Sequence, residues 1–296
     1  MNLLAELSQP WALSPGAVHL IEAGLAAKAT GEPARSAPGF TVSADGVATV
    51  PIEGVLLRKA SPMLQLFGFG SMQEIGDAVS EAASQSDVRR IVLNIDSPGG
   101  TVAGTLELAH QIDEARRRKP VTAFIGGQGT SAAYWLATCA DKIIATPTAM
   151  TGSIGVIALH ADRTAQYSQD GLKVEVFRSG ELKAPGAYGM PLTDPQRQFM
   201  AAGIQEAFQL FRARVNARRP GVANLVFDGR AVMGSQAAQL GLVDSIVMGL
   251  SAVLTMPERA LRPPQPSSPS ARSRGHRFEG HTPRTLGIRL GISEAA

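Results

Sequence analysis

Residues 90–102 read Arg-Ile-Val-Leu-Asn-Ile-Asp-Ser-Pro-Gly-Gly-Thr-Val. The first six form a short apolar run of the kind that fills a strand, and a helical pattern takes over at 102–118. Between them, Gly99 and Gly100 let the backbone turn sharply and leave amide hydrogens beside a helix start. That setting suits an ordinary strand-to-helix turn or a developing oxyanion. The pattern then recurs: an apolar run at 121–125, the loop Gly126-Gly127-Gln128-Gly129, and an apolar helix at 131–139. Strand, glycine turn and helix in repetition predict an α/β domain on a largely parallel sheet.

Outward from this centre, strands are expected at 47–55, 142–145, 154–158 and 173–177, and helices at 71–84 and 162–170. A longer helix opens at Thr193-Asp194-Pro195-Gln196, where Thr and Gln three apart form a capping box and Pro sits in the first turn. Phe199, Ile204, Phe208, Phe211 and Val215 give it an apolar stripe before Arg218-Arg219-Pro220-Gly221 closes it. Residues 1–39 read as a helical segment, with Ser14-Pro15 as cap and first turn, followed by a linker; 40–250 read as the folded domain. Residues 251–296 read as a mostly disordered tail rich in Pro, Ser and Arg, unable to bury enough apolar surface to offset its ordering entropy.

The net charge of +3 is unevenly spread. Residues 257–296 carry seven Arg against three Glu, so the rest of the chain is slightly acidic and nucleic-acid binding by the folded body is not expected. A single cysteine, Cys139, excludes an internal disulfide and reads as a small core residue. No run of 18 apolar residues is present and the N-terminus makes a poor secretory signal, so the sequence predicts a cytoplasmic protein without a membrane span. No cofactor or metal site is expected.

Candidate chemistry gathers at a few positions. Ser131, in Gly-Thr-Ser-Ala-Ala-Tyr-Trp, follows a strand and opens a helix. It reads either as a helix cap or as a nucleophile, with the Ala132 amide as an oxyanion donor beside Gly99 or Gly100. Lys183, in Ser-Gly-Glu-Leu-Lys, reads either as a solvated surface charge or as a base whose amine must be desolvated to lose its proton. Ser153, in Thr-Gly-Ser-Ile-Gly-Val, either bonds a turn backbone or orients the lysine.

Taken together, Ser-Pro-Gly-Gly, Gly-Thr-Ser-Ala-Ala-Tyr, Thr-Gly-Ser-Ile-Gly-Val, the Lys183 segment and Asp228-Gly229-Arg230 through Gly241-Leu242-Val243-Asp244 follow an order that resembles the signal peptide peptidase A family of Ser-Lys proteases. The resemblance covers residues 40–250. It implies Ser131 as nucleophile, Lys183 as general base, Ser153 as the hydroxyl positioning the lysine, and Gly99, Gly100 and Ala132 as the oxyanion hole, with Gly100 the favoured glycine. It also implies a Clp protease and crotonase-like α/β fold of repeated β-β-α units, assembled into homo-oligomeric rings. Ala-Ala-Tyr-Trp after Ser131 and the leader Trp11-Ala12-Leu13-Ser14-Pro15 are similar to the bacteriophage head protease branch. Phage capsid, portal or scaffold proteins are then the expected substrates. The short tail, beside relatives that extend into a scaffold segment, suggests a truncated prophage copy.

Three other readings remain. His160 with Asp162 can be placed in a Clp-like Ser-His-Asp protease; the fold can serve capsid assembly without catalysis; and a crotonase-type acyl-CoA enzyme leaves the Ser-Lys pair unexplained.

Overall fold

The computed structural model describes residues 11–13, 39–187 and 189–261. Ten strands among them form one sheet: β1 (Trp11–Leu13), β2 (Thr41–Val42), β3 (Val47–Leu57), β4 (Phe69–Ser71), β5 (Arg90–Thr101), β6 (Val121–Thr130), β7 (Lys142–Ala145), β8 (Met150–Gly152), β9 (Ala231–Met233) and β10 (Ser245–Ile246). The helices are α1 (Pro62–Leu66), α2 (Met72–Ser84), α3 (Thr105–Arg118), α4 (Ala132–Ala137), α5 (Thr164–Gln169), α6 (Asp194–Arg218), α7 (Gly234–Gln239), α8 (Leu250–Leu254) and α9 (Glu258–Leu261). The spine runs β10-β7-β6-β5-β3-β2, and every pair from β10 to β3 is parallel. This is the α/β architecture that the strand, turn and helix repeat predicts.

The central strands are apolar almost throughout because both faces of the sheet are covered. Ile91, Leu93 and Ile95 of β5 pack with Met72, Ile75, Leu108, Ile112, Trp135 and Phe211 from the helices on one side. Val92 faces the other way, with Phe124, Ile144, Val253 and Leu261. The second cluster corrects the expected boundary of the domain. Residues 250–261 form α8 and α9, and the Arg90 guanidinium binds the carbonyls of Val253 (3.2 Å) and Leu254 (2.5 Å), so the packed body continues past 250 to Leu261. The rest of the expected tail lies outside the described residues.

The capping box of α6 is present in both halves, and the helix runs to Arg218 as expected. Its C-terminal part meets the core, where Phe211 stacks on Trp135 at 4.6 Å between ring centroids, while Phe199 near its start is exposed. Three expectations fail. Residues 154–158 and 173–177 have apolar, β-branched alternation but form no strand, and Phe177 stands 93% exposed. Trp11–Leu13, within the expected N-terminal helical segment, is instead a strand paired with β5; the remainder of that segment before residue 39 lies outside the described residues.

Candidate active site

Ser131 sits at the hinge between β6 and α4, fully buried, with φ 55° and ψ −122°. A non-glycine residue held at such a φ carries strain of about 1–3 kcal/mol. Its amide donates to the Gly152 carbonyl at 2.7 Å, which anchors the turn to β8. The hydroxyl makes no capping bond to its own helix, so the helix-cap reading of Ser131 does not hold; Oγ instead lies 3.4 Å from the Gly155 carbonyl oxygen. Gly129 is needed just before, because a Cβ there would come within 2.7 Å of Ile125 Cδ1. As the first residue of α4, Ala132 has an amide with no intrahelical acceptor.

The glycine turn of β5 lies alongside. Ser97 pairs with Gly129 in the β5–β6 ladder, bringing the end of β5 beside the turn that carries Ser131. Ser97 Oγ donates to the Gly54 carbonyl at 2.7 Å and accepts the Gly99 amide at 3.1 Å, so Gly99 already has a partner. Gly100 is held by crowding: a Cβ there would lie 1.8 Å from the Leu56 carbonyl oxygen on β3.

Ser153 follows β8 directly, rather than opening a strand, and also has positive φ, at 51°. Its amide donates to the Arg230 carbonyl at 2.7 Å, next to the β8–β9 pairing. Arg230 is itself clasped by Asp228, which orders the Asp-Gly-Arg segment, and a Cβ on Gly155 would lie 3.6 Å from Gly229 Cα. Farther along, Tyr134 of α4 donates its buried hydroxyl to the Leu242 carbonyl at 2.8 Å. Four of the five motifs read in the sequence therefore meet around Ser131. The carbonyls of Gly152 and Gly155 are the contributors that sequence reasoning missed, and no side-chain pattern could have marked a backbone acceptor.

Lys183 stands apart. It is exposed, its amide closes a turn on Gly180, and its amine makes no hydrogen bond or ion pair among the described residues. The segment around it is tied to the start of α6 through Gln196, whose amide nitrogen donates to the Glu181 carbonyl at 2.9 Å. His160 packs against this segment, 2.5 Å from where a Cβ on Gly186 would lie. Asp162 is engaged by Thr164 at 2.6 and 2.9 Å, and those hydrogen bonds hold its carboxyl below the usual range. Neither His160 nor Asp162 bonds to Ser131, which leaves the Ser-His-Asp arrangement unformed among the described residues. No group of three or more His, Cys, Asp or Glu among them could hold a metal ion.

Residues 113–261 match the family described as peptidase family S49. Among curated proteins, the chain is 31% identical over 214 residues to "Capsid assembly protease C" of Escherichia phage lambda, covering 72% of this chain and 49% of that protein. It is 29% identical to "Head-tail preconnector protein GP5" of Enterobacteria phage P21, covering 72% and 43%. The chain thus spans about half the length of these curated relatives. Among solved structures, it is similar to an enoyl-CoA hydratase/isomerase family member, with a TM-score of 0.42 and 18% identity over 78% of this chain and 77% of that one.

Proposed function

The chain belongs to peptidase family S49, and from that membership we propose that it is a serine endopeptidase with Ser131 as nucleophile and Lys183 as general base. One observation carries the reading: Ser131 is buried at positive φ on a strand-to-helix turn, with its hydroxyl withheld from helix capping. A serine that only capped the helix would take extended backbone and accept from the amides of the first turn. Strain at such a turn serves instead to present a nucleophile at the end of a strand.

In this mechanism neutral Lys183 takes the Ser131 proton as Oγ attacks the peptide carbonyl. The oxyanion rests on the amides of Gly100 and Ala132; the existing bond from Gly99 to Ser97 favours Gly100 as the donor from the β5 turn. Lys183 protonates the leaving amine, Ser153 orients the lysine, and water hydrolyses the acyl-enzyme. Water stabilises a charged amine, and Lys183 is exposed in the single chain. Covering of Lys183 by a neighbouring subunit, within a homo-oligomeric ring, is therefore part of the proposal. The name of the lambda relative, a capsid assembly protease, supports capsid proteins as the substrate class; portal or scaffold proteins as further substrates, and processing in the cytoplasm during head maturation, belong to the proposal.

Co-expression with neighbouring candidate capsid proteins, read by intact mass, tests the proposal. Wild type should yield cleaved products, and Ser131→Ala and Lys183→Ala should lower their rate by about a thousandfold or more. Specific activity should rise with protein concentration as subunits assemble. Undiminished cleavage by Lys183→Ala would sink the base. Uncut substrates together with a Ser131 that resists an active-site serine probe would point to a silent assembly protein.

A further inference from the structure

The end of β5 has two edges, and their occupants differ. On one edge β3 remains in register to the last turn, with Val55 opposite Gly99 and Leu56 opposite Gly100. On the other, β6 follows β5 only as far as Ser97 opposite Gly129, while its far edge pairs with β8 from Gln128 opposite Met150 to Thr130 opposite Gly152. Ser131 is the next residue. If the parallel register continued, Gly99 would lie across from Ser131; instead the strands part and an edge opens between the glycine turn and the serine turn.

β1 fills that edge. Leu13 pairs with Gly99, Ala12 with Gly100 and Trp11 with Thr101, all antiparallel. Because β3 already holds the other side of Gly99 and Gly100, Trp11–Leu13 must lie on the side from which β6 departs, the side of Ser131. An extended segment added to a sheet edge is also how a peptide is held by its main chain. We infer that Trp11–Leu13 is a tethered occupant of the peptide-binding edge, blocking access of other extended peptides to Ser131 until it withdraws. The inference deepens the peptidase reading and rests on it for the identity of the blocked site.

A competing peptide pays the full penalty of displacing β1, since only chains with the edge vacated can bind it; if one chain in ten is vacated, apparent affinity falls about tenfold. Adjacent residues of a strand point their amides to opposite sides, so proline at Ala12 or at Leu13 must remove one ladder donor. The test uses the full chain carrying Ser131→Ala, which keeps every segment uncut. A labelled synthetic peptide of residues 8–16 is titrated into this protein and into the same protein with Ala12→Pro or Leu13→Pro, following fluorescence anisotropy. At least one proline variant should bind the peptide about tenfold or more tightly; equal binding in all three overturns the inference. Amide exchange in the chain bearing only Ser131→Ala reads the same point without a proline. Slow exchange at residues 11–13 that quickens when excess peptide is added supports occupancy, and fast exchange without peptide refutes it. Neither arm requires hydrolysis. Absence of cleavage by the wild-type chain, together with the tenfold gain in the Ser131→Ala background, would sink the peptidase mechanism and leave the occupant, whereas cleavage by the wild-type chain with no gain in that background would do the reverse.

Discussion

Ser131 donates its amide to the Gly152 carbonyl at 2.7 Å while its carbonyl accepts the Trp135 amide at 2.9 Å, so the turn that carries the candidate nucleophile is held by strand β8 as well as by its own helix. The same stretch continues to Ser153 and to the Gly155 carbonyl facing Ser131 Oγ. Strain at position 131 is thus sustained from outside, by a ladder that runs on through β9 to Arg230.

That strain predicts an ordering of variants. Ser131→Ala and Ser131→Gly should both lose hydrolysis, but glycine accepts a φ of 55° without a Cβ penalty. Ser131→Gly should exceed Ser131→Ala in stability by about 1 kcal/mol, after allowing for the greater freedom of glycine in the unfolded chain. Denaturant midpoints decide it, and the opposite order would mean that the turn is unstrained.

Two glycines should respond in opposite directions. Gly100→Ala would place a Cβ 1.8 Å from the Leu56 carbonyl oxygen, so β3 and β5 must separate at the site. A loss of about 3 kcal/mol or more is expected, with loss of peptide cleavage. Gly203, exposed inside α6, has nothing within 4 Å of its Cβ position. Gly203→Ala should therefore raise stability by about 0.5–1 kcal/mol, through helix propensity alone. Thermal melts of both variants are sufficient, and a benign Gly100→Ala would contradict the close approach of the two strands.

Alkaline pH should reveal two buried groups, one in α4 and one in the turn just after it. Burial pushes the Cys139 thiol from 9.0 up to about 12, and it pushes the Tyr134 phenol above its ordinary 10.0. Both folded values are raised, so the folded chain keeps these protons after the unfolded chain has released them. Their contribution is complete below pH 9 and declines as pH rises through 9 toward 12. Each such group adds a slope approaching about 1.4 kcal/mol per pH unit within its window. Cys139→Ala should flatten the decline that begins near pH 9, before the phenol contributes. Parallel pH profiles for the two proteins would show the thiol ionising freely in the fold.

The parts of the fold visible in sequence are those that local physics specifies. The apolar runs of β3, β5, β6 and β7 announce strands buried on both faces, and Thr193 with Gln196 marks the start of α6 because the two capping bonds need no other element. Residues 173–177 show the limit of that reading. Lys-Val-Glu-Val-Phe has the right alternation, yet a strand exists only where a neighbour supplies hydrogen bonds, and none does here among the described residues. The converse holds for Met150–Gly152, Ala231–Met233 and Trp11–Leu13, too short to be recognised and made strands by their partners.

The sequence by itself determined the repeat of strand, glycine turn and helix and the order of the five motifs, whose resemblance to a known family named the residues proposed for the site. Side-chain periodicity and glycine placement are local properties that a linear reading can follow. Only the tertiary structure decided that Ser131 adopts positive φ, that the Gly152 and Gly155 carbonyls meet Ser131 while the Arg230 carbonyl meets the Ser153 amide, and that Lys183 remains exposed in the single chain. It also placed Trp11–Leu13 on the open edge of β5. These are consequences of non-local backbone hydrogen bonds and of the close approach permitted where a Cβ is missing. Because every residue offers nearly the same backbone donor and acceptor, side-chain identity could not reveal which pairs would meet.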